Sequence, residues 1–437
     1  MTNFHFITAT ALILIPILFF MLNKRYYYYS IIAIYPIIGQ SISAEVNLFF
    51  VTINPSMLFG FLILGLTAID FLLQPSKDRL LEILILIFIS YALFTSFFSP
   101  LKFESFSWAL KIATWLLILS ASLKIFTEEQ NLYQIHQAVS IAVVIVIFSF
   151  ILSKIGFYGK SVTYETGVTL YGGGFETGKA LAYHLAVAIP ILALATVNRH
   201  GISQYFSIIL IFTSMTVIIL TFVRSPVIAL LVGFLSYQYF DYRYGDKRFL
   251  KVVVIIFFIA LTLITITFFA SQSQYTSRWR ELGDKYAEGR VEKLGSGRVG
   301  GLIGFYDYYF YKASVFRKVF GSGLGSSYVY LGTNIIIHND FAEILMGCGI
   351  IGFTVYLFIL LRVFRLLIQS LKKTKEPTIA RAVILALSSF FVFISFHMTN
   401  ITSGVLVLSM WAIFNGATIG IAQASSKSDN EHSVHIL

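Results

Sequence analysis

The sequence predicts an all-α fold: a polytopic transmembrane helix bundle of about 12–14 helices, with one long extracytoplasmic loop containing an amphipathic helix. Three observations predict it. Charged residues are 12% of 437 and apolar ones 57%, with mean hydropathy +0.81, more apolar surface than a soluble domain buries. Continuous apolar runs of about 18 residues or more recur along the chain, and about 20 helical residues cross the hydrocarbon. Residues 271–337 alone break that pattern with a long polar stretch. Because the runs are continuous rather than alternating, a lipid-facing β-barrel is excluded.

Taken in order, apolar runs begin near Phe6, Tyr28, Met57, Leu80, Ser107, Ala138, Ala180, Gln204, Ser225 and Phe249, about ten helices within residues 1–270. After the loop at 271–337 they begin near Ile344, Ala382 and Ser403, about three more within residues 338–424. Residues 425–437 are polar and read as a disordered cytoplasmic tail. If the helices alternate, Lys24, Arg25, residues 77–79, Arg199, residues 243–251 and residues 362–381 share one side, and the positive-inside rule makes it cytoplasmic. Residues 44–56, 100–104, 158–178 and the long loop then face outside; a long loop crosses whatever its charge. The first run has no basic residue before it and no small-residue cleavage site after it, so it reads as a helix, not a signal peptide.

Composition excludes several chemistries. Cys348 is the single cysteine, which rules out an intramolecular disulfide or a cysteine metal cluster and fits a small packing residue. The net charge of +11 reflects the positive-inside bias and the basic loop, not a nucleic-acid partner. Tyr26, Tyr27, Tyr28 and Tyr29 read as an interfacial aromatic belt. No HExxH or other metal spacing occurs, and no Walker loop: Gly321, Gly323 and Gly325 follow a predicted helix instead of opening one. Neither metal nor nucleotide cofactor is expected.

Inside the loop, Leu302, Phe305, Tyr309, Ala313, Phe316 and Phe320 recur at steps of three and four, predicting one amphipathic helix over 299–320 with its apolar side towards the bundle. Gly295-Ser296-Gly297 precedes it and Gly321-Ser322-Gly323-Leu324-Gly325 stops it. Arg298 opens this helix, where free N–H groups favour an anion and a cation is unfavourable; it reads as a phosphate ligand or as a solvated loop arginine. Arg224 interrupts an apolar stretch before Ser225-Pro226, which read as N-cap and first helical residue. It is either a ligand at the external boundary or an arginine snorkelling to head groups. His338 ends the loop, with Asn339 and Asp340 as caps of the next helix, and is either a reacting group or a structural hydrogen-bonder. His184 and His397 read as packed or hydrogen-bonded helix residues. Two arginines and a histidine beside a membrane cavity suit a lipid-linked anion, because Arg presents a fixed fork to phosphate oxygens and His exchanges a proton near neutral pH.

At these residues the chain resembles the bacterial O-antigen polymerase and O-antigen ligase superfamily of integral membrane glycosyltransferases, over residues 164–361. The resemblance lies in the Arg224-Ser225 break, Gly295-Ser296-Gly297-Arg298, Gly321-Ser322-Gly323-Leu324-Gly325, His338-Asn339-Asp340-Phe341 and Gly349-Ile350-Ile351-Gly352. Tyr171-Gly172-Gly173-Gly174-Phe175 also looks like the family, but Glu176-Thr177-Gly178-Lys179 follows where an Asn is often found. The resemblance implies a multi-pass protein of the bacterial cytoplasmic (inner) membrane, its long loop in the periplasm, surrounded by membrane lipids. It implies a donor and an acceptor glycan carried on undecaprenyl pyrophosphate, with flippase and chain-length regulator proteins as partners. Arg224 and Arg298 would hold the pyrophosphate and stabilise it as leaving group, and His338 would take the proton of the attacking hydroxyl. Asp340 and Glu343 are alternative bases, with Asn339 beside them as a substrate contact; Arg278, Arg280 and Arg290 are auxiliary glycan or phosphate contacts. The His-Asn-Asp-Phe form and the aromatic run from Tyr306 to Tyr311 look more like a polymerase than a ligase acting on lipid A-core. A flippase is the rival of another class; it needs charges at mid-depth and paired broken helices, whereas the outstanding charges here lie near one face.

Overall fold

The computed structural model describes residues 14–39, 46–48, 51–53, 55–157, 160–163, 169–173, 178–198, 202–221, 223–245, 298–331, 339–397 and 405–434. The apolar run predicted from Phe249 lies outside them. Helical residues 14–22 lead to α1 (Lys24–Gly39), α2 (Pro55–Leu73), α3 (Arg79–Ser96), α4 (Lys102–Ile125), α5 (Gln130–Lys154), α6 (Gly178–Asn198), α7 (Ile202–Leu220) and α8 (Arg224–Tyr244). Then come α9 (Arg298–Asp307), a π-helical turn (Tyr308–Lys312), α10 (Val315–Phe320), α11 (Ser327–Tyr330), α12 (Asp340–Lys373), α13 (Pro377–His397) and α14 (Val405–Val434). Among the described residues eight helices, α3 to α7 and α12 to α14, are long and apolar enough to cross a membrane. The chain is an all-α, multi-pass membrane bundle. Its connections hold short antiparallel hairpins, β1 (Val46–Leu48) with β2 (Val51–Ile53) and β3 (Lys160–Thr163) with β4 (Thr169–Gly173).

The bundle is built around α4 and α14. Nearly every residue of α4 from Ile112 to Lys124 is buried, the mark of a helix surrounded on all sides. Gly416 and Gly420 of α14 let it approach so closely that a Cβ would meet the carbonyls of Leu119 and Leu123, the small-residue packing that replaces a hydrophobic driving force in lipid. Trp411 of α14 stacks on Phe393 of α13 at 3.9 Å and meets Trp115 of α4 at 5.9 Å.

Charged residues gather at one end. Lys24 lies 2.5 Å from Asp70, Arg25 2.7 Å from Glu128 and Lys124 3.1 Å from Glu82. Arg362 grips Asp78 with two bonds, at 3.2 and 2.5 Å. At the other end the α3–α4 turn meets the 298–331 segment: Tyr91 Oη donates to Phe320 O at 3.1 Å, and the Phe98–Phe316 and Trp108–Tyr328 ring pairs each lie at 6.2 Å. Lys24, Arg25 and Arg362, expected on one side, and the 100–104 turn, expected on the other, therefore sit at opposite ends.

Four expectations need correcting. Tyr27, Tyr28 and Tyr29 do not form an interfacial belt but are buried, their hydroxyls bonded to Thr67, Asp70 and Asn131. The helix predicted over 299–320 is broken: Ala313 is extended (φ −68°, ψ 137°), and Ser314 caps a new helix through Arg317 N. The chain beyond Ser425 stays helical to Val434, because each added residue of an established helix gains a backbone bond. Finally, α12 is not one rod. Gly349 breaks it at φ 62°, ψ −174°, and the Phe341 and Phe353 rings lie 6.4 Å apart, where a straight helix would separate them by about 18 Å. Residues 340–348 fold back on the outer part of the spanning half. A Cβ at Gly349 would strike Val319 O and Gly321 N, and one at Gly321 would strike Gly347 O. We expect Gly349→Ala and Gly321→Ala each to cost about 1–3 kcal/mol in thermal unfolding of the purified protein, while Gly60→Ala, which meets open space, costs nothing.

Candidate functional site

Three helix starts and one helix end converge opposite the ion pairs. Tyr183, in the second turn of α6, shares a 2.8 Å hydrogen bond with Ser225 at the start of α8. Its ring meets Phe396 at 4.5 Å, and Lys179 Nζ lies 5.5 Å from its centroid. Next along α13, His397 touches Phe341 at 5.2 Å, so the start of α12 joins the same group.

The start of α8 differs from its expected form. Val223 (φ −91°, ψ 117°) is the residue before the helix, and no side chain caps it. Arg224 is the first helical residue and Ser225 spends its hydroxyl on Tyr183, so the local capping signal gives way to a tertiary bond. Arg298 is likewise the first residue of α9. The first turns of α6, α8 and α9 contain a cation and no acid. By contrast, α3 has Asp78 and Glu82, and α4 has Glu104. Helix starts favour negative charge, and the first turns of these three supply none of it themselves.

At α12, Asn339 caps the helix as expected, its Oδ1 accepting from Ala342 N at 3.0 Å. Asp340 and Glu343 are buried. Glu343 Oε1 accepts from Gly325 N at 2.7 Å, so this carboxylate is committed to the glycine turn. Asp340 acts electrostatically on Tyr356, whose hydroxyl is hydrogen-bonded to His397 Nε2. His397 is thus a hydrogen-bonded helix residue, as its position predicted.

The structure brings the start of α8 and residues 339–341 into one region, bridged by Tyr183, Phe396 and His397. Arg298 opens α9 two turns before Phe305, whose cluster with Tyr308, Tyr309 and Ala313 packs on Ala342 and Met346. The side chains of Arg224 and Arg298, and His338, Arg278, Arg280 and Arg290 entirely, lie outside the described residues. Tyr183 and Tyr356 escaped the sequence reading, and Lys179 entered it only as part of a departure from the family's pattern; Lys179 and Tyr183 carried a faint signal, a cation and a tyrosine one helical turn apart at a helix start. Among the described residues no cluster of His, Cys, Asp and Glu could hold a metal ion. Chemically the region offers helix-start N–H groups and fixed cations to an anion, with carboxylate and imidazole groups alongside. Comparison with protein-family models and with curated protein sequences finds no match to the chain.

Glu343→Ala strands the buried Gly325 N–H, and we expect it to lower stability by about 1–3 kcal/mol. Glu343→Gln keeps an acceptor and should recover most of that; equal losses in thermal unfolding would show that the bond does not hold the turn.

Proposed function

We propose that the chain is a membrane glycosyltransferase that polymerises undecaprenyl-pyrophosphate-linked oligosaccharide repeat units into O-antigen or a related surface polysaccharide, at the outer face of the bacterial cytoplasmic membrane. The observation that carries this reading is the convergence of the starts of α6, α8 and α12 at the end of a membrane bundle. An anion held there meets positive helix ends and the cations that open α6 and α8. The acceptor hydroxyl oxygen attacks the anomeric carbon, the bond from that carbon to the pyrophosphate oxygen breaks, and undecaprenyl pyrophosphate leaves with the electron pair. Arg224 and Arg298 stabilise the charge on the leaving group. His338, next to the Asn339 cap, takes the hydroxyl proton. A ligase would run the same bond exchange with lipid A-core as acceptor.

Arg224→Ala, Arg298→Ala and His338→Ala should each lower product formation by about 100-fold or more with normal membrane insertion, and Arg-to-Lys changes should also impair it. Wild-type product from all three would remove the assignment. In a deletion strain, single repeat units on an otherwise capped acceptor mark a lost polymerase. Long lipid-linked chains that never reach an acceptor mark a ligase, and repeats trapped on the cytoplasmic leaflet mark a flippase.

A further inference from the structure

A second basic centre lies at the same end of the bundle, on α10. Arg317 Nη1 donates to Tyr308 Oη at 3.2 Å, and its guanidinium lies 4.7 Å from the centroid of Tyr330. Tyr308 and Tyr330 are themselves stacked at 5.0 Å. The π-helical turn makes this possible: its wider winding buries Tyr308 and Tyr309 on successive positions, and Tyr309 is anchored to Lys318 O at 2.9 Å. Burial raises the Tyr308 phenol above its ordinary range, while the adjacent Arg317 pulls it down.

Two further cations of this segment are occupied. Lys312 pairs with Asp307 at 2.5 Å and Lys318 Nζ donates to Phe310 O at 2.7 Å. Arg317 is exposed and has no carboxylate partner among the described residues. Its fork is held by two aromatic groups, with donors to spare. Around it lies an apolar shelf: Val315, Phe316 and Phe320 are exposed, as are Phe97, Phe98 and Phe103 on the α3–α4 turn, and Phe316 touches Phe98. Exposed aromatics where spanning helices emerge mark head-group level, and an arginine rooted there reaches the phosphate layer.

We propose that Arg317, held by Tyr308 and Tyr330, binds a lipid-borne phosphate at the membrane surface. A bidentate fork suits phosphate oxygens, and the two tyrosines remove the side-chain freedom that binding would otherwise cost. The site is argued from its own geometry; it deepens the proposed reaction, and rests on it, only where the phosphate is the donor's pyrophosphate.

The full chain, purified in a neutral detergent, is titrated with undecaprenyl pyrophosphate, with dioleoylphosphatidylglycerol and with undecaprenol as the phosphate-free control. Wild type should prefer the phosphate-bearing lipids. Arg317→Ala should weaken binding of at least one of them by about 10-fold, and Arg317→Lys, which keeps the charge but loses the fork, should recover only part. Loss confined to undecaprenyl pyrophosphate assigns the site to the donor; loss confined to the glycerophospholipid assigns it to the bilayer; both support a phosphate site. Unchanged binding of both lipids by Arg317→Ala, or full recovery of an Ala defect by Lys, overturns it. A retained product defect in Arg224→Ala alongside unchanged binding in Arg317→Ala would leave the proposed reaction standing without this site.

Discussion

Backbone packed directly on backbone holds together the end of this bundle opposite the ion pairs. When α12 breaks at Gly349, the carbonyls that end its first half lose their helical partners. Ser322 N and Gly323 N fill that role, donating to Met346 O at 3.1 Å and to Gly347 O at 3.1 and 2.8 Å. Glu343 returns the favour by accepting from Gly325 N. Each partner is irregular backbone that could not persist alone among spanning helices, where every polar group must be satisfied internally. Together they satisfy one another, and glycine at 321, 347 and 349 permits the approach. This contact docks the 298–331 segment and folds residues 340–348 back towards Phe353, Tyr356 and His397. The position of Asn339 and Asp340 follows from it.

The opposite end is closed by charge. Asp70 is fully buried, bonded by Tyr28 and Lys24, and Lys124 is held by Glu82 and by the carbonyls of Phe71 and Gln74. Such pairs add little net stability over apolar packing, yet stranding one partner is costly. Their effect here is to dictate which helix ends meet: α1 with α2, α4 with α3, and α12 with α3. A bundle pinned at that end leaves the other free to gather helix starts.

Much of this architecture was legible in the sequence, since a spanning helix is specified by its own apolar run. Residues whose local signal competes with a distant partner were not. Ser225-Pro226 reads as a cap, but the Ser225 hydroxyl belongs to Tyr183, 42 residues away. The apolar stripe from Leu302 to Phe320 keeps its helical spacing straight through the break at Ala313, so its periodicity hides the cap at Ser314. The Gly349 and Gly352 pair announced a special backbone, but a fold-back needs the carbonyl acceptors and the glycine turn together, and no local pattern encodes that pairing. The link from Ser225 through Tyr183, Phe396 and His397 to Phe341 joins four separate helices and has no signature in any of them.

Cations at helix starts carry the remaining argument. A positive side chain in the first turn is unfavourable by about 0.3–1 kcal/mol, and this chain offsets it where structure is the purpose. Lys24 has Asp70, Arg79 follows the Asp78 cap, and Lys102 precedes Glu104. The first turns of α6, α8 and α9 hold a cation and no acid of their own, whereas α12, which starts at the same end, has Asp340 and Glu343. In the proposed reaction the donor's pyrophosphate is the anionic group that the first turns of α6, α8 and α9 would meet.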